Sequence, residues 1–238
     1  MVTFKQYILL EGGNVFKNAD GSSATTSIAK ADVFNVVNNL SRIIGIDLKD
    51  SLLGSTGKKD VSGDIDIGVL KSQRDTVYNT LLDYCQSTGL DPKEYVKRTG
   101  AGIHFKAQIP GTNQYAQVDF LFSNNLDFAK FFLTNNEVPP LKGMHKNIVL
   151  ACLAKAHGMK FLSGDGLVDR TASTIVSTDP DEIAKIILDN DTATAKDLSS
   201  IPHIILKLRE KLSTEQVEEK LKEAQDTLTT KYNVSLNI

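Results

Sequence analysis

The sequence predicts an α/β (α+β) protein in which a mixed sheet with flanking helices is followed by a mainly helical C-terminal region. Two patterns support this fold class. Apolar and polar side chains alternate over residues 103–109 and 115–122, which is typical of half-buried strands. Over residues 28–44, apolar side chains instead recur every three and four positions, which is typical of amphipathic helices. Helical spacing also dominates after residue 122, so we place a boundary between residues 1–124 and 125–238.

The first of these regions is predicted to mix helices and strands. Pro110-Gly111 separates the two alternating runs, which are therefore expected to pair as antiparallel strands. Gly89 follows the apolar stripe of a second helix, at a point where helices commonly end. In chain order, the predicted elements are a strand after Gln6, a loop over 12–27, a helix over 28–44, a short strand over 51–55, a strand over 65–70, a helix over 73–86, and strands over 103–109 and 115–122.

The second region is predicted to contain helices and one small hairpin. Asp179-Pro180 begins one helix, because proline suits the first helical position. Ser213 and Gln216 form a capping box that begins the last helix. The predicted elements are helices over 126–134, 143–157, 179–188, 201–212 and 215–228, and a hairpin over 160–169.

The composition excludes a polybasic coat for nucleic acid. The chain has 238 residues, with 27 basic and 29 acidic side chains and a net charge of −2. Cys85 and Cys152 lie far apart in helix-like surroundings, which indicates reduced core thiols and a cytoplasmic location. No apolar run has the length of an export signal or a membrane span, so we expect no membrane partner. The sequence leaves the oligomeric state open.

Three aspartates are candidate metal ligands. Asp64 and Asp66 are two residues apart at a predicted strand and so project from the same face. Asp119 lies between Val118 and Phe120, whose apolar side chains claim the core face, so its carboxylate points the other way. If the two strands are neighbours, three carboxylates converge, and such a group favours Mg²⁺ or Mn²⁺. The alternatives are a solvated strand end for the first two and a plain edge-strand residue for the third.

The loop before Asp64 has the residues of a phosphate site. Gly54 lets the backbone approach a phosphate closely, and the following N–H groups and the Ser55 hydroxyl can donate to it. Lys58 and Lys59 lie in the same loop and can neutralise phosphate charge. Together with the aspartates, this loop indicates a two-metal site for phosphoryl transfer from a triphosphate.

These motifs resemble those of the DNA polymerase beta-like nucleotidyltransferase superfamily, in which Gly-Ser and a short loop precede Asp-hydrophobic-Asp-hydrophobic and a later lone aspartate. The variant GSTGKK…SGDIDI, with EGG near the N-terminus and LKGMHKN later, is most similar to small phage-encoded nucleotidyltransferases, whose location would be the host cytoplasm. The resemblance implies a palm-type sheet. It also implies transfer of a nucleoside monophosphate from a nucleoside triphosphate to an acceptor hydroxyl, with release of pyrophosphate.

Carried over by position, the resemblance assigns a role to each motif residue. It implies that Asp64 and Asp66 ligate both metal ions. It implies that Asp119 ligates the catalytic metal and acts on the acceptor hydroxyl. Gly54 and Ser55 would hold the triphosphate.

Two features of the loop depart from the superfamily pattern. Eight residues separate Ser55 from Asp64, which is fewer than usual. The arginine often found in this loop is absent, and Lys58 and Lys59 are the candidates to replace it.

An acid-free basic stretch over 141–160 holds further candidate contacts. Lys142, His145 and Lys146 lie close together on the predicted helix over 143–157 or at its start, and are candidates to contact phosphate or the acceptor. The alternative is a solvated face of an amphipathic helix. His104 also has two interpretations, as a residue on the carboxylate face or as a structural histidine.

The sequence therefore predicts a metal-dependent nucleotidyltransferase, with an RNA or DNA end as one candidate acceptor. An aromatic content of 7% without tryptophan argues against long, nonspecific tracking along nucleic acid. Nucleotidylation of a small molecule or a protein is the alternative within the same chemistry. A catalytically silent nucleotide-binding protein of the same fold is the alternative from another class.

Overall fold

The computed structural model describes residues 15–100, 102–134, 136–137, 140–162 and 165–238. The strand predicted after Gln6 therefore lies outside the described residues. The chain divides after Leu126 into two compact units, which we call the sheet unit and the helical unit. This division lies two residues beyond the boundary placed from the sequence.

Within the described residues, the sheet unit contains the longer strands and the helices predicted for it, together with three very short strands and a short helix over 92–95. Its elements are β1 (Ile28–Ala29), α1 (Lys30–Ile44), β2 (Val61–Ser62), β3 (Ile65–Leu70), α2 (Arg74–Ser87), α3 (Pro92–Tyr95), β4 (Val96–Arg98), β5 (Gly102–Gln108) and β6 (Tyr115–Ser123). Leu52, in the short strand predicted over 51–55, makes only an isolated bridge with Ile67. The sequence did not indicate β4, because Val96 is its only buried residue and three residues give no visible alternation.

Four of these strands form a mixed sheet in the order β3-β6-β5-β4. Strands β3 and β6 run parallel, and Asp66 lies opposite Asp119 in their register. Strand β5 pairs antiparallel with β6 and with β4. The β5–β6 pairing confirms the antiparallel pair predicted from the two alternating runs.

The two faces of this sheet carry different side chains, apolar residues on one and the aspartates on the other. Ile65 and Phe120 point to the core face, where they pack with Val36 of α1. Side chains next to each other along a strand point to opposite faces, so Asp66 and Asp119 lie on the face away from this core. The apolar residues of the strands thus fix the side on which the aspartates project.

The helical unit is built around a second core. From the boundary onward, its elements are α4 (Leu126–Leu133), α5 (Gly143–Ala156), β7 (Met159–Leu162), β8 (Gly166–Asp169), β9 (Ile175–Ser177), α6 (Pro180–Leu188), α7 (Ile201–Leu208) and α8 (Thr214–Tyr232). Strands β7, β8 and β9 form an antiparallel sheet, so the predicted hairpin is present with one strand added. Helix α8 begins with the predicted capping box of Ser213 and Gln216.

One strand and the ends of two helices in this unit differ from the sequence prediction. Helix α8 continues to Tyr232, four residues beyond its predicted end at Leu228. The sequence does not predict strand β9, because the adjacent apolar residues Ile175 and Val176 give no apolar-polar alternation. Both side chains are largely exposed in the structure. Helix α7 ends four residues before the predicted end at Leu212, which instead packs on the core from the turn that follows. Within the described residues, every helix is too short or too polar to cross a membrane.

Candidate active site

The three aspartates predicted as metal ligands lie together in the sheet unit. Asp66 and Asp119 are partners across the β3–β6 pair, and Asp64 immediately precedes β3. One carboxylate oxygen from each of the three lies within 4.8 Å of the others. In the part of the chain that the structure describes, no other group of three or more such ligands could hold a metal ion.

The chemistry of these donors fits a hard divalent cation. All three offer carboxylate oxygens, which Mg²⁺ and Mn²⁺ prefer over nitrogen or sulfur ligands. Opposite ligands of one octahedral Mg²⁺ lie about 4.2 Å apart. Oxygens grouped within 4.8 Å therefore need only small side-chain rotations to share an ion.

Without a bound cation, ionisation of the Asp64 carboxyl is unfavourable in the folded protein. Burial raises the pKa of the Asp64 carboxyl, and the negative charge of Asp119 raises it further. Asp119 is 8% exposed, so water screens this repulsion only weakly. A bound cation would remove both penalties, which is the usual role of closely spaced carboxylates at metal sites.

Asp64→Asn is therefore expected to stabilise the metal-free protein while it removes a ligand. At pH 7 the thermal unfolding midpoint should rise by roughly 1–4 °C, because the amide carries no charge to bury. The pKa of Asp64 is higher in the folded state, so ionisation costs stability only as pH rises past its ordinary value of 3.8. The gain should thus shrink as the pH is lowered from 7 towards 4.

Thermal melts of both proteins at several pH values, with and without Mg²⁺, measure these effects. Mg²⁺ should raise the midpoint of the wild type and leave that of Asp64→Asn nearly unchanged. An unchanged midpoint at pH 7, or an equal gain at pH 4, would count against a strained carboxylate.

The loop of Gly54 and Ser55 is fastened to the strand that carries Asp66. The backbone N–H of Leu53 donates to the carbonyl oxygen of Asp66 at 2.9 Å. The backbone N–H of Asp66 in turn donates to Thr56 Oγ1 at 3.1 Å. Thr56 is buried, yet the sequence did not single it out, because a threonine in a polar loop has no distinguishing pattern. These two bonds hold the loop beside the aspartates.

Gly54 is required by both conformation and space. Its φ of +59° lies in the left-handed region, and a methyl group added there would lie 3.2 Å from Asp66 Oδ2. Ser55 follows it and is half-buried, whereas Lys58 and Lys59 are exposed. The two ammonium groups are therefore accessible to an anion in solvent.

If the three aspartates hold a divalent cation, Gly54→Ala is expected to weaken its binding by about tenfold or more, because the new methyl group crowds the Asp66 carboxylate. Gly45→Ala is the matched control. Gly45 also has a left-handed φ, +74°, but a methyl group there meets nothing within 4 Å. Both variants should lose about 1–2 kcal/mol of stability from the backbone strain. Equal Mn²⁺ affinities of the two variants would contradict the crowding.

No protein-family model matches this chain, and no curated protein matches it. The resemblance to the polymerase beta-like superfamily therefore remains a prediction from the motifs.

Two polar residues of the same sheet face contact Asp119. His104 Nδ1 lies 2.7 Å from Asp119 Oδ1, and Gln117 Nε2 donates to Asp119 Oδ2 at 3.0 Å. His104 is thus on the carboxylate face, which was one of its two predicted interpretations. Gln117 was not singled out, although its position two residues before Asp119 places both on one face of β6.

The basic residues at the start of α5 are mostly not accessible. Lys142 is exposed, but His145 and Lys146 are only 2% and 1% exposed. His145 Nδ1 accepts from the backbone N–H of Lys142, and Lys146 Nζ donates to the carbonyl oxygen of Thr134 at 2.9 Å. Their burial argues against the predicted phosphate or acceptor contact and equally against a solvated helix face. Of the three predicted contacts, Lys142 alone presents its side chain to solvent.

Proposed function

We propose that this protein is a nucleotidyltransferase that depends on divalent cations, Mg²⁺ or Mn²⁺. It moves a nucleoside monophosphate from a nucleoside triphosphate to an acceptor hydroxyl. The observation that carries the proposal is the grouping of the Asp64, Asp66 and Asp119 carboxylate oxygens within 4.8 Å. Cations bound there would lower the pKa of the attacking hydroxyl and neutralise negative charge on the leaving pyrophosphate.

The reaction balances without any further reactant. The acceptor oxygen forms a bond to the α-phosphorus, and the bond between that phosphorus and the bridging oxygen to the β-phosphate breaks. The hydroxyl proton is lost to solvent or base, and pyrophosphate leaves. Asp64 and Asp66 would hold both cations, while Asp119 would ligate the catalytic cation and act on the acceptor hydroxyl.

The loop beside the aspartates supports a triphosphate as the donor. Gly54 brings main chain close to Asp66, so a phosphate bound by cations there would also meet the loop. The Ser55 hydroxyl can donate to a phosphate oxygen. Lys58 and Lys59 are exposed and add positive charge without any carboxylate partner closer than 4.0 Å among the described residues.

Pyrophosphate release tests the proposal. Each labelled nucleoside triphosphate is incubated with Mg²⁺ or Mn²⁺ and with RNA, DNA, protein or small-molecule acceptors. The wild type should release pyrophosphate and label at least one acceptor, and Asp64→Asn should not. Asp83→Asn, which changes an exposed aspartate of α2, is the matched control and should behave as wild type.

Absence of release under all conditions, or equal release by Asp64→Asn, would overturn the proposal. Triphosphate binding without release would instead identify the silent nucleotide-binding alternative. The class of acceptor that becomes labelled distinguishes nucleic-acid modification from nucleotidylation of a protein or small molecule.

A further inference from the structure

A histidine makes a short polar contact with one carboxylate of the aspartate cluster. His104 lies on β5 directly opposite Asp119 of β6. Both residues are 8% exposed, and His104 Nδ1 lies 2.7 Å from Asp119 Oδ1. A contact of this length in a buried setting restricts the rotation of both side chains.

The chemistry of the pair fixes the proton on one ring nitrogen. An ionised carboxylate can only accept a hydrogen bond, so Nδ1 of His104 carries the proton and donates it to Asp119. The other ring nitrogen, Nε2, lies 3.1 Å from Thr99 Oγ1. The backbone N–H of Gly102 donates to the same Thr99 oxygen at 3.2 Å. The imidazole is therefore held at both nitrogens.

The second oxygen of Asp119 is also held. Gln117 Nε2 donates to Asp119 Oδ2 at 3.0 Å, while Gln117 Oε1 accepts from the backbone N–H of Val15 at 2.9 Å. Each carboxylate oxygen has two acceptor sites, so one donor on each oxygen leaves one site per oxygen for a cation. Donors on both oxygens also fix the plane of the carboxylate.

We infer that His104 is a positioning residue, which holds the Asp119 carboxylate in the orientation that ligates the cation. This inference rests on the proposed function, because it assigns His104 a task at the same metal site. Hydrogen-bond partners of metal ligands commonly change metal affinity by 10- to 100-fold when they are removed. In this role His104 acts through Asp119 and not on the reacting atoms themselves.

Mn²⁺ binding tests this role without any need for turnover. The free Mn²⁺ signal in electron paramagnetic resonance gives the dissociation constant for the wild type and for His104→Asn, His104→Gln and His104→Ala. The amide nitrogen of asparagine reaches the position of Nδ1, whereas that of glutamine reaches the position of Nε2. The two amide variants therefore match in polarity and differ in whether they can donate to Asp119.

We expect His104→Asn to bind Mn²⁺ within about threefold of wild type, and His104→Gln and His104→Ala to bind 10- to 100-fold more weakly. Thermal unfolding midpoints of the two amide variants should be similar, because both replace the ring by a smaller polar group. A merely structural histidine would change the midpoints without separating the two Mn²⁺ affinities. If the alanine variant fails to fold, the comparison of the two amides decides.

Asp66→Asn distinguishes a failure of the positioning role of His104 from a failure of the metal site itself. If wild-type Mn²⁺ binding depends on Asp66 but is equal in all His104 variants, the positioning role is overturned and the proposed function stands. If the wild type binds no Mn²⁺ in an Asp66-dependent way, the metal site itself is wrong and both fail. Weaker binding by glutamine than by asparagine supports the positioning role.

Discussion

Replacing Asp66 with asparagine is expected to slow pyrophosphate release by at least about 10³-fold, with little loss of stability. Asp66 lies on β3 directly opposite Asp119 of β6 and belongs to the aspartate cluster, so its replacement takes away a ligand from the proposed cations. Charge stabilisation by a bound metal is worth several kcal/mol in the transition state, and about 4 kcal/mol corresponds to 10³ in rate.

The fold should survive this change because Asp66 anchors the neighbouring loop through its backbone. Its carbonyl and N–H make the bonds to Leu53 and Thr56, and asparagine keeps both groups. Single-turnover rates and thermal melts of Asp66→Asn and of the control Asp83→Asn measure the two effects separately. A loss of less than tenfold, or an equal loss in the control, would remove Asp66 from the chemistry.

Because of Lys146, the free energy of unfolding is expected to increase with pH in alkaline solution. Its burial lowers the pKa of the ammonium group to about 8, although the negative charge of Glu137 opposes part of this effect. Between pH 8 and the ordinary value of 10.5, the unfolded chain keeps a proton that the folded chain has lost. The free energy of unfolding therefore increases with pH in this range, by up to about 3 kcal/mol.

Lys146→Met isolates this effect, because methionine fills a similar volume and does not titrate. The difference in unfolding free energy, wild type minus variant, should grow from pH 7 to pH 10.5 in denaturant titrations. Other titrating groups contribute equally to both proteins and cancel in the difference. A difference that is constant or falls with pH would show that burial does not lower the pKa of Lys146.

Local patterns predicted the aspartate arrangement well. The spacing of Asp64 and Asp66 predicts a common face, and the apolar neighbours of Asp119 predict its direction, because side chains alternate along a strand. Asp64 lies just before β3, yet its carboxylate groups with the other two. Whether β3 and β6 are neighbours depends on the order of strands in the sheet, which these patterns do not encode. The parallel pairing of Asp66 with Asp119 comes from the structure.

Specific side-chain hydrogen bonds account for the site residues that the sequence did not predict. Thr56 bonds to Asp66 and Thr99 contacts His104 across a turn or loop, while Gln117 bonds to Asp119 of its own strand, and no periodicity marks such residues. Lys146 was expected on an accessible face because basic residues usually are. Helix α5 instead packs against both α8 and β7, so eight of its fourteen residues are buried, including His145 and Lys146. A helix covered on more than one side loses the amphipathic contrast from which exposure is predicted.

The most direct test of the central proposal is to locate the metal. Crystals grown with Mn²⁺ and a non-hydrolysable nucleoside triphosphate analogue would give anomalous scattering peaks at each bound ion. We expect a peak within about 2.1 Å of carboxylate oxygens of Asp64, Asp66 and Asp119, with the triphosphate against the Gly54–Ser55 loop. Mn²⁺ bound elsewhere, with these three carboxylates free of metal, would contradict the proposed nucleotidyltransferase site.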